Sequence, residues 1–184
     1  MYHWFLGVAL LSILQASDVS SSLPYMNPDL QKYQDPGKCL PLQEKWYTLY
    51  RNYESDPAFG GTDQCIEFTC LGPAVDGAFP FTIRYGDSSA NLTLTLSSSE
   101  GYTTQNLLHF QLIGRKLFSM LVTASYSDCM TCVVFRSTYI NEGACSLIVP
   151  ESALGKELSC CDYLFDLLCD ATPKFNIYNE SCFK

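Results

Sequence analysis

From Trp46 to Val149 the apolar positions recur with a period of two, in runs of a few residues broken by turn-forming segments. Alternation at that period places successive side chains on opposite faces of a strand. In 91–96, Leu92, Leu94 and Leu96 share one face while Asn91, Thr93 and Thr95 share the other. In 81–85, Phe81, Ile83 and Tyr85 oppose Thr82 and Arg84. The pattern predicts strands over 46–53, 65–70, 79–86, 90–97, 106–114, 117–126, 132–139 and 145–149. The breaks carry DPAFGG, GPAVDG, YGDSS, SSEG and INEG, whose Gly, Asp, Asn and Pro suit tight turns. Eight short strands meandering through tight turns predict an all-β, up-and-down antiparallel barrel, and eight strands are just enough to hold one small ligand.

Outside that region the period changes. Residues 156–171 (KELSCCDYLFDLLCDA) place Cys161, Leu164, Phe165 and Leu168 at i, i+3, i+4 and i+7, an amphipathic helix with one face packed on something apolar. Residues 24–38 hold a short helical piece between prolines, with Asn27 or Asp29 as its cap. No long repeat, linker or low-complexity tract interrupts the chain.

The first sixteen residues, MYHWFLGVALLSILQA, carry an apolar run from Trp4 to Leu14. That run falls short of the ~20 residues a membrane span needs, and it ends at a small residue, so 1–16 is a secretory signal with cleavage after Ala16, or after Ser22 as the fallback. The expected product is a single domain over 17–184, secreted and extracellular, with the barrel at about 44–150. The formal net charge of −8 lies entirely beyond the leader. Nucleic acid and anionic membranes are therefore poor partners, since phosphate binding needs clustered Lys and Arg. All ten cysteines also follow the leader, and an even count in a secreted chain reads as a disulfide framework. The sequons at Asn91 and Asn179 predict glycosylation in the same compartment.

Catalysis lacks its parts. Past the leader there is one histidine, His109, so triads, His-ligated zinc and His acid–base pairs are excluded. No G-x-S-x-G, P-loop or dinucleotide-binding glycine pattern is present. The chain is expected to be no enzyme and to need no cofactor or metal.

The DCMTC stretch at 128–132 offers three readings: a redox dithiol, half a zinc site, or two unrelated half-cystines. In extended chain Cys129 and Cys132 lie about 10 Å apart and face opposite ways, too far for a mutual disulfide unless the chain turns between them. Cys160 and Cys161 diverge by about 100° on a helix and should also take separate partners.

The order LQKYQD, W-x-x-x-x-R-N-Y, DPAFGG-x-x-x-C, SYSDCMTCVVFR, C-x-L-x-V-P-E, the Cys160–Cys161 helix with Cys169, and a final Y-N-x-x-C resembles the salivary lipocalins of ticks, which include histamine-, serotonin- and leukotriene-binding proteins. The resemblance implies an eight-stranded lipocalin barrel, a C-terminal helix packed outside it, and a cavity that sequesters host mediators without catalysis. It also implies the pairs Cys39–Cys160, Cys65–Cys182 and Cys132–Cys161, leaving Cys145–Cys169 and Cys70–Cys129 for the remainder. Amine binders of the family carry an acid and a Trp in a C-E-L-W stretch, and often an Asp after the preceding strand's Cys. Here those positions read Ser146, Ile148 and Val133.

With Cys132 and Cys145 reaching an outer helix, Val133, Phe135, Ser146 and Ile148 should point inward. Trp46, Phe81, Tyr85, Phe110 and Phe135 are the aromatics expected either to line a pocket or to fill the barrel. Among acids, Asp56 is a candidate mouth anchor or a turn cap, and Glu100 and Asp128 are rim candidates or solvated loop residues. Glu67 is expected to be exposed. Arg51 and Arg84 could meet a ligand carboxylate, although Arg84 alternates to the outside. The expected partner of this monomer is a small molecule, an amine by resemblance or a lipid mediator by the missing pocket acid. The alternative is a protein partner engaged through loop aromatics such as Phe59 or Tyr102.

Overall fold

A computed structural model of the chain describes residues 23–114, 119–169 and 173–183. The expected leader at 1–16 and its cleavage site lie outside them. The strands are β1 (Trp46–Arg51), β2 (Glu67–Cys70), β3 (Phe79–Tyr85), β4 (Ser88–Ser97), β5 (Leu107–Leu112), β6 (Ser119–Ser127), β7 (Val133–Arg136), β8 (Cys145–Pro150) and a short β9 (Phe175–Asn176). Each of β2 to β7 pairs antiparallel with the next, and β1 closes the cylinder by pairing with both β8 and β2. This is a closed eight-stranded antiparallel barrel; β9 adds a rung outside β1.

The alternation seen in the sequence sets which side chains go inside. Phe81 and Ile83 of β3, Leu92 and Leu94 of β4, and Leu108 and Phe110 of β5 join the interior cluster. Two strands carry register shifts, β6 between Ala124 and Tyr126 and β1 next to the cavity's polar end. In β1 the register against β8 shifts between Thr48 and Tyr50, so Thr48 faces Ile148, Tyr50 faces Leu147 and Arg51 faces Ser146. A bulge of this kind inserts one residue and swaps the faces beyond it. Strict alternation from Trp46 would put Tyr50 inside and Arg51 outside. The bulge does the reverse.

Tyr50 consequently joins a second apolar cluster on the outer wall with Val134, Leu147 and Val149, against helix α1 (Ser159–Leu168). The Phe165 ring meets Tyr50 edge-on at 4.8 Å, and Tyr50 donates to Asp162 at 2.6 Å. At the other pole of the barrel the 24–38 segment forms 3-10 turns, the second capped by Asn27, which accepts from the Asp29 amide. Buried Gln34 holds this plug by accepting from the Tyr102 hydroxyl and donating to the Pro24 carbonyl.

Four disulfides tie peripheral elements to the barrel: Cys39–Cys129, Cys65–Cys182, Cys132–Cys161 and Cys145–Cys169. The expected pairs Cys39–Cys160 and Cys70–Cys129 are absent. The reason lies in DCMTC, which turns rather than running extended. Asp128 accepts from the amides of Met130, Thr131 and Cys132, and Cys129 takes a positive φ of 63°. That kink carries Cys129 to the plug, where its Cα lies 4.9 Å from that of Cys39. Cys160 is left exposed one helix position from Cys161, and Cys70 is a half-buried thiol donating to the Gly72 carbonyl.

Peptide mapping under non-reducing conditions should recover a Cys39–Cys129 peptide, with Cys70 and Cys160 alone alkylated after denaturation. A Cys39–Cys160 peptide would contradict the assignment. Burial acts to raise the Asp128 carboxyl, but the backbone N–H bonds outweigh it and hold the group below the usual range. A depressed folded-state value contributes stability above the unfolded carboxyl value of about 3.9, lost as pH falls through the lower folded one. Asp128→Ala should therefore cost about 1 kcal/mol at neutral pH, as for a lost cap, with the deficit shrinking in urea melts at the acid end.

Candidate functional site

The barrel encloses a cavity of ≈ 80 Å³. Its floor is the chain leaving the plug, Pro36 to Leu42, and its wall is largely aromatic: Trp46 of β1, Phe68 of β2, Phe81 of β3, Phe110 of β5 and Phe135 of β7. Val133 and Ile148 complete the apolar wall where β7 and β8 meet. Polar groups gather at the end away from the plug, where Thr48, Arg51, Tyr53, Asp56, Ser137 and Ser146 reach the lining.

The β1–β2 connection folds over that end. Asp56 and Gly61 exchange backbone hydrogen bonds of 2.9 and 2.7 Å, making 56–61 a self-contained turn. Phe59 at its tip points down into the cavity, edge-on to Phe68, Phe110 and Tyr139. Gly60 has φ +83°, and a Cβ there would lie 2.7 Å from that of Tyr85, so glycine is required for the close approach. Tyr85 thus backs the turn and is not part of the cavity lining.

Asp56 organises this lid. Only 2% exposed, it accepts from the amides of Ala58 and Phe59 at 2.9 and 3.0 Å through Oδ1, and from the hydroxyls of Tyr53 and Tyr139 at 3.1 and 2.9 Å through Oδ2. Burial, and then the charge of Asp56, pushes both tyrosine hydroxyls well above their ordinary range, so they remain donors. Four donors occupy the carboxylate. Arg51, 1% exposed, spans from the wall to the lid: Nε donates to the Tyr53 carbonyl at 3.1 Å, and Nη2 to the carbonyls of Glu54 and Gly61 at 2.7 and 2.5 Å. Its guanidinium lies over the Tyr53 ring at 5.0 Å.

Of the candidates named from sequence, Trp46, Asp56, Phe81, Phe110, Phe135, Ser146 and Ile148 come together on the cavity. Glu100 does not; it is exposed in the β4–β5 turn at the plugged end. Phe59 and Tyr102, expected as exposed loop aromatics, are buried at 7% and 9%, one in the lid and one on the plug. Glu67 faces outward but is 6% exposed, because Tyr47, Lys45 and Arg84 close over it with contacts of 3.0, 3.2 and 3.4 Å. Sequence reasoning missed Tyr53, Ser137 and Phe59 as site residues. The apolar tip of DPAFGG was the available signal for the last of these.

The family model for tick histamine binding protein matches residues 24–184. No curated protein matches the chain by sequence. Among solved structures, the serotonin complex of AM182 superposes with a TM-score of 0.53 at 17% identity, covering 82% of this chain and 90% of the other. Japanin from Rhipicephalus appendiculatus, bound to cholesterol, gives 0.53 at 14% identity over 88% and 99% of the two chains. Apocrustacyanin A1 of lobster gives 0.52 at 15% identity, over 85% and 89%. At these identities the likeness is one of fold.

Asp56→Ala would remove the carboxylate that accepts from two half-buried tyrosine hydroxyls and two amides. It should lower unfolding stability by about 3 kcal/mol, since each orphaned buried donor costs roughly 1–3 kcal/mol. Urea unfolding checks this, and a loss under about 0.5 kcal/mol, the usual surface range, would show that Asp56 does not hold the lid.

Proposed function

The chain belongs to the tick histamine-binding protein family, and from that premise we propose that it is a secreted lipocalin that sequesters small host mediators in its barrel, blunting inflammation or haemostasis at a feeding site. The observation that carries this reading is the aromatic-walled cavity inside the barrel, with polar groups at one end only. Apolar walls give a ligand most of its affinity, and a few placed polar groups orient it. Four disulfides fit an oxidising, extracellular setting. An apolar leader at 1–16, a charge of −8, and sequons at exposed Asn91 and half-buried Asn179 support secretion of a glycosylated monomer.

Biogenic amines are the class the family suggests, and the aromatic wall suits a ring-bearing amine through stacking and cation–π contact. A specific observation favours a second class, lipid mediators and other apolar acids. Asp56 is the acid on the cavity lining among the described residues, and its oxygens are already occupied by protein donors. An ammonium would have to displace one of them. Burial of Phe59 and Tyr102 removes the aromatic handles that a protein-partner reading relied on.

Calorimetric titration against histamine, serotonin, a leukotriene and a fatty acid should give saturable one-site binding with at least one of them. Val133→Phe, which places extra volume on the cavity wall, should weaken that binding at least tenfold while leaving the fold intact by circular dichroism. The absence of heat with every ligand would sink the sequestration reading and favour a protein partner.

A further inference from the structure

β1 has two edges, and one of them is only half covered by a neighbouring barrel strand. Along β8 the pairing runs from Trp46 to Arg51. Along β2 it stops at Trp46 and Tyr47, with one further bond from the Thr48 amide to the Ile66 carbonyl. Beyond that point the C-terminal segment fills the gap. Leu49 is the residue inserted by the bulge and has no partner on β8. Its carbonyl instead accepts from the amides of Ile177 and Tyr178 at 3.0 and 3.1 Å, and the Ile177 carbonyl accepts from the Cys65 amide at 2.8 Å. Residues 175–178 therefore stand in the barrel wall between β1 and the approach to β2. Ile177, 3% exposed, is the one buried residue of 173–181 and packs into the interior cluster. The banks of this seam, Thr48 and Arg51 on one side and Ile66 on the other, line the cavity.

The segment is lightly held along its length and firmly held at its ends. Its ladder with β1 is two residue pairs, Tyr50 with Asn176 and Arg51 with Phe175, and so short a pairing is marginal on its own. Cys145–Cys169 fixes the chain before it, and Cys65–Cys182 fixes the chain after it. A short stretch with one buried side chain, cross-linked on both flanks, can open locally while the rest of the domain stays folded. The other way in, past the 52–61 loop, requires Phe59 to unseat and four hydrogen bonds to a buried carboxylate to break. We propose that the barrel opens sideways at this seam: 175–178 is a strap that lifts from Leu49 while its cystines retain it, and small molecules enter and leave the cavity through the gap between β1 and Cys65–Ile66. The passage of molecules rests on the barrel-sequestration reading; the lifting of the strap does not.

Two measurements on the full secreted chain test it. In native-state hydrogen exchange followed by NMR, the amides of Ile177, Tyr178 and Cys65 should exchange at one common rate, at least tenfold faster than the amides of the β7–β8 ladder. That rate should not respond to low urea, since a local opening exposes little surface. Exchange of all three as slowly as the ladder would show that the strap opens only with global unfolding, and overturns the inference. The second measurement is stopped-flow fluorescence with N-phenyl-1-naphthylamine, a neutral apolar probe. A gate lowers the barrier in both directions and leaves the end states alone. Ile177→Gly should therefore raise association and dissociation rates alike, at least fivefold, with Kd held within about twofold, and Ile177→Leu should keep the native rates. If Ile177→Gly does not fold, Phe175→Ala, a milder cut in the same strap, takes its place with the same expected direction. Native rates in the loosened strap would show that molecules pass elsewhere, which overturns the inference and leaves sequestration standing. If neither the probe nor histamine, serotonin, a leukotriene or a fatty acid binds the native chain, sequestration fails and the passage with it, while the exchange rates still decide whether the strap lifts.

Discussion

The register shift in β1 is the constraint on which the two sides of this molecule depend. It lies in the strand that closes the barrel, between Thr48 and Tyr50, and exchanges what faces in with what faces out. Outward, Tyr50 becomes the platform for Phe165 and the partner of Asp162, which seats the helix. Inward, Arg51 enters the cavity and reaches the backbone of the loop above it. One inserted residue thus sets the helix docking and the chemistry of the pocket together. Bulges near binding sites commonly re-aim a side chain in this way. Removing this one would expel the arginine and bury a tyrosine in its place.

The covalent framework is arranged around the barrel and not through it. Cys39–Cys129 fastens the plug, Cys65–Cys182 the C-terminal segment, and Cys132–Cys161 with Cys145–Cys169 the helix. Each joins a peripheral element to a strand or its connection, and none crosses the cavity. The pocket's shape is consequently decided by side-chain packing and by the hydrogen bonds of the lid. Cross-links stabilise chiefly by restricting the unfolded chain, which leaves the interior free to vary in size and polarity at little cost to the scaffold.

Much of this was legible in the sequence because period-two alternation is a strong local signal. It placed Leu92 and Leu94 inside, and the half-cystines at 132 and 145 oriented β7 and β8 so that Val133, Phe135, Ser146 and Ile148 faced the cavity. What escaped was non-local or non-repetitive. A bulge has no residue signature in WYTLYR, so the inward turn of Arg51 could not be read. The pairing of Cys39 hinged on a left-handed residue at 129, which the extended reading of DCMTC did not allow for. The burial of Glu67 needed Tyr47, Lys45 and Arg84 to converge from different elements. Rim and solvated loop could not be told apart for Glu100, because turn residues at either pole look alike until the plug shows which pole is shut.

The Asp56 hub also has a kinetic meaning. Any molecule that passes the 52–61 loop must wait for Phe59 to leave its aromatic nest and for hydroxyl and amide bonds to one carboxylate to break together. The same bonds must break again before it can leave. Such a latch slows arrival and departure alike, and affinity differences among related complexes reside mostly in departure.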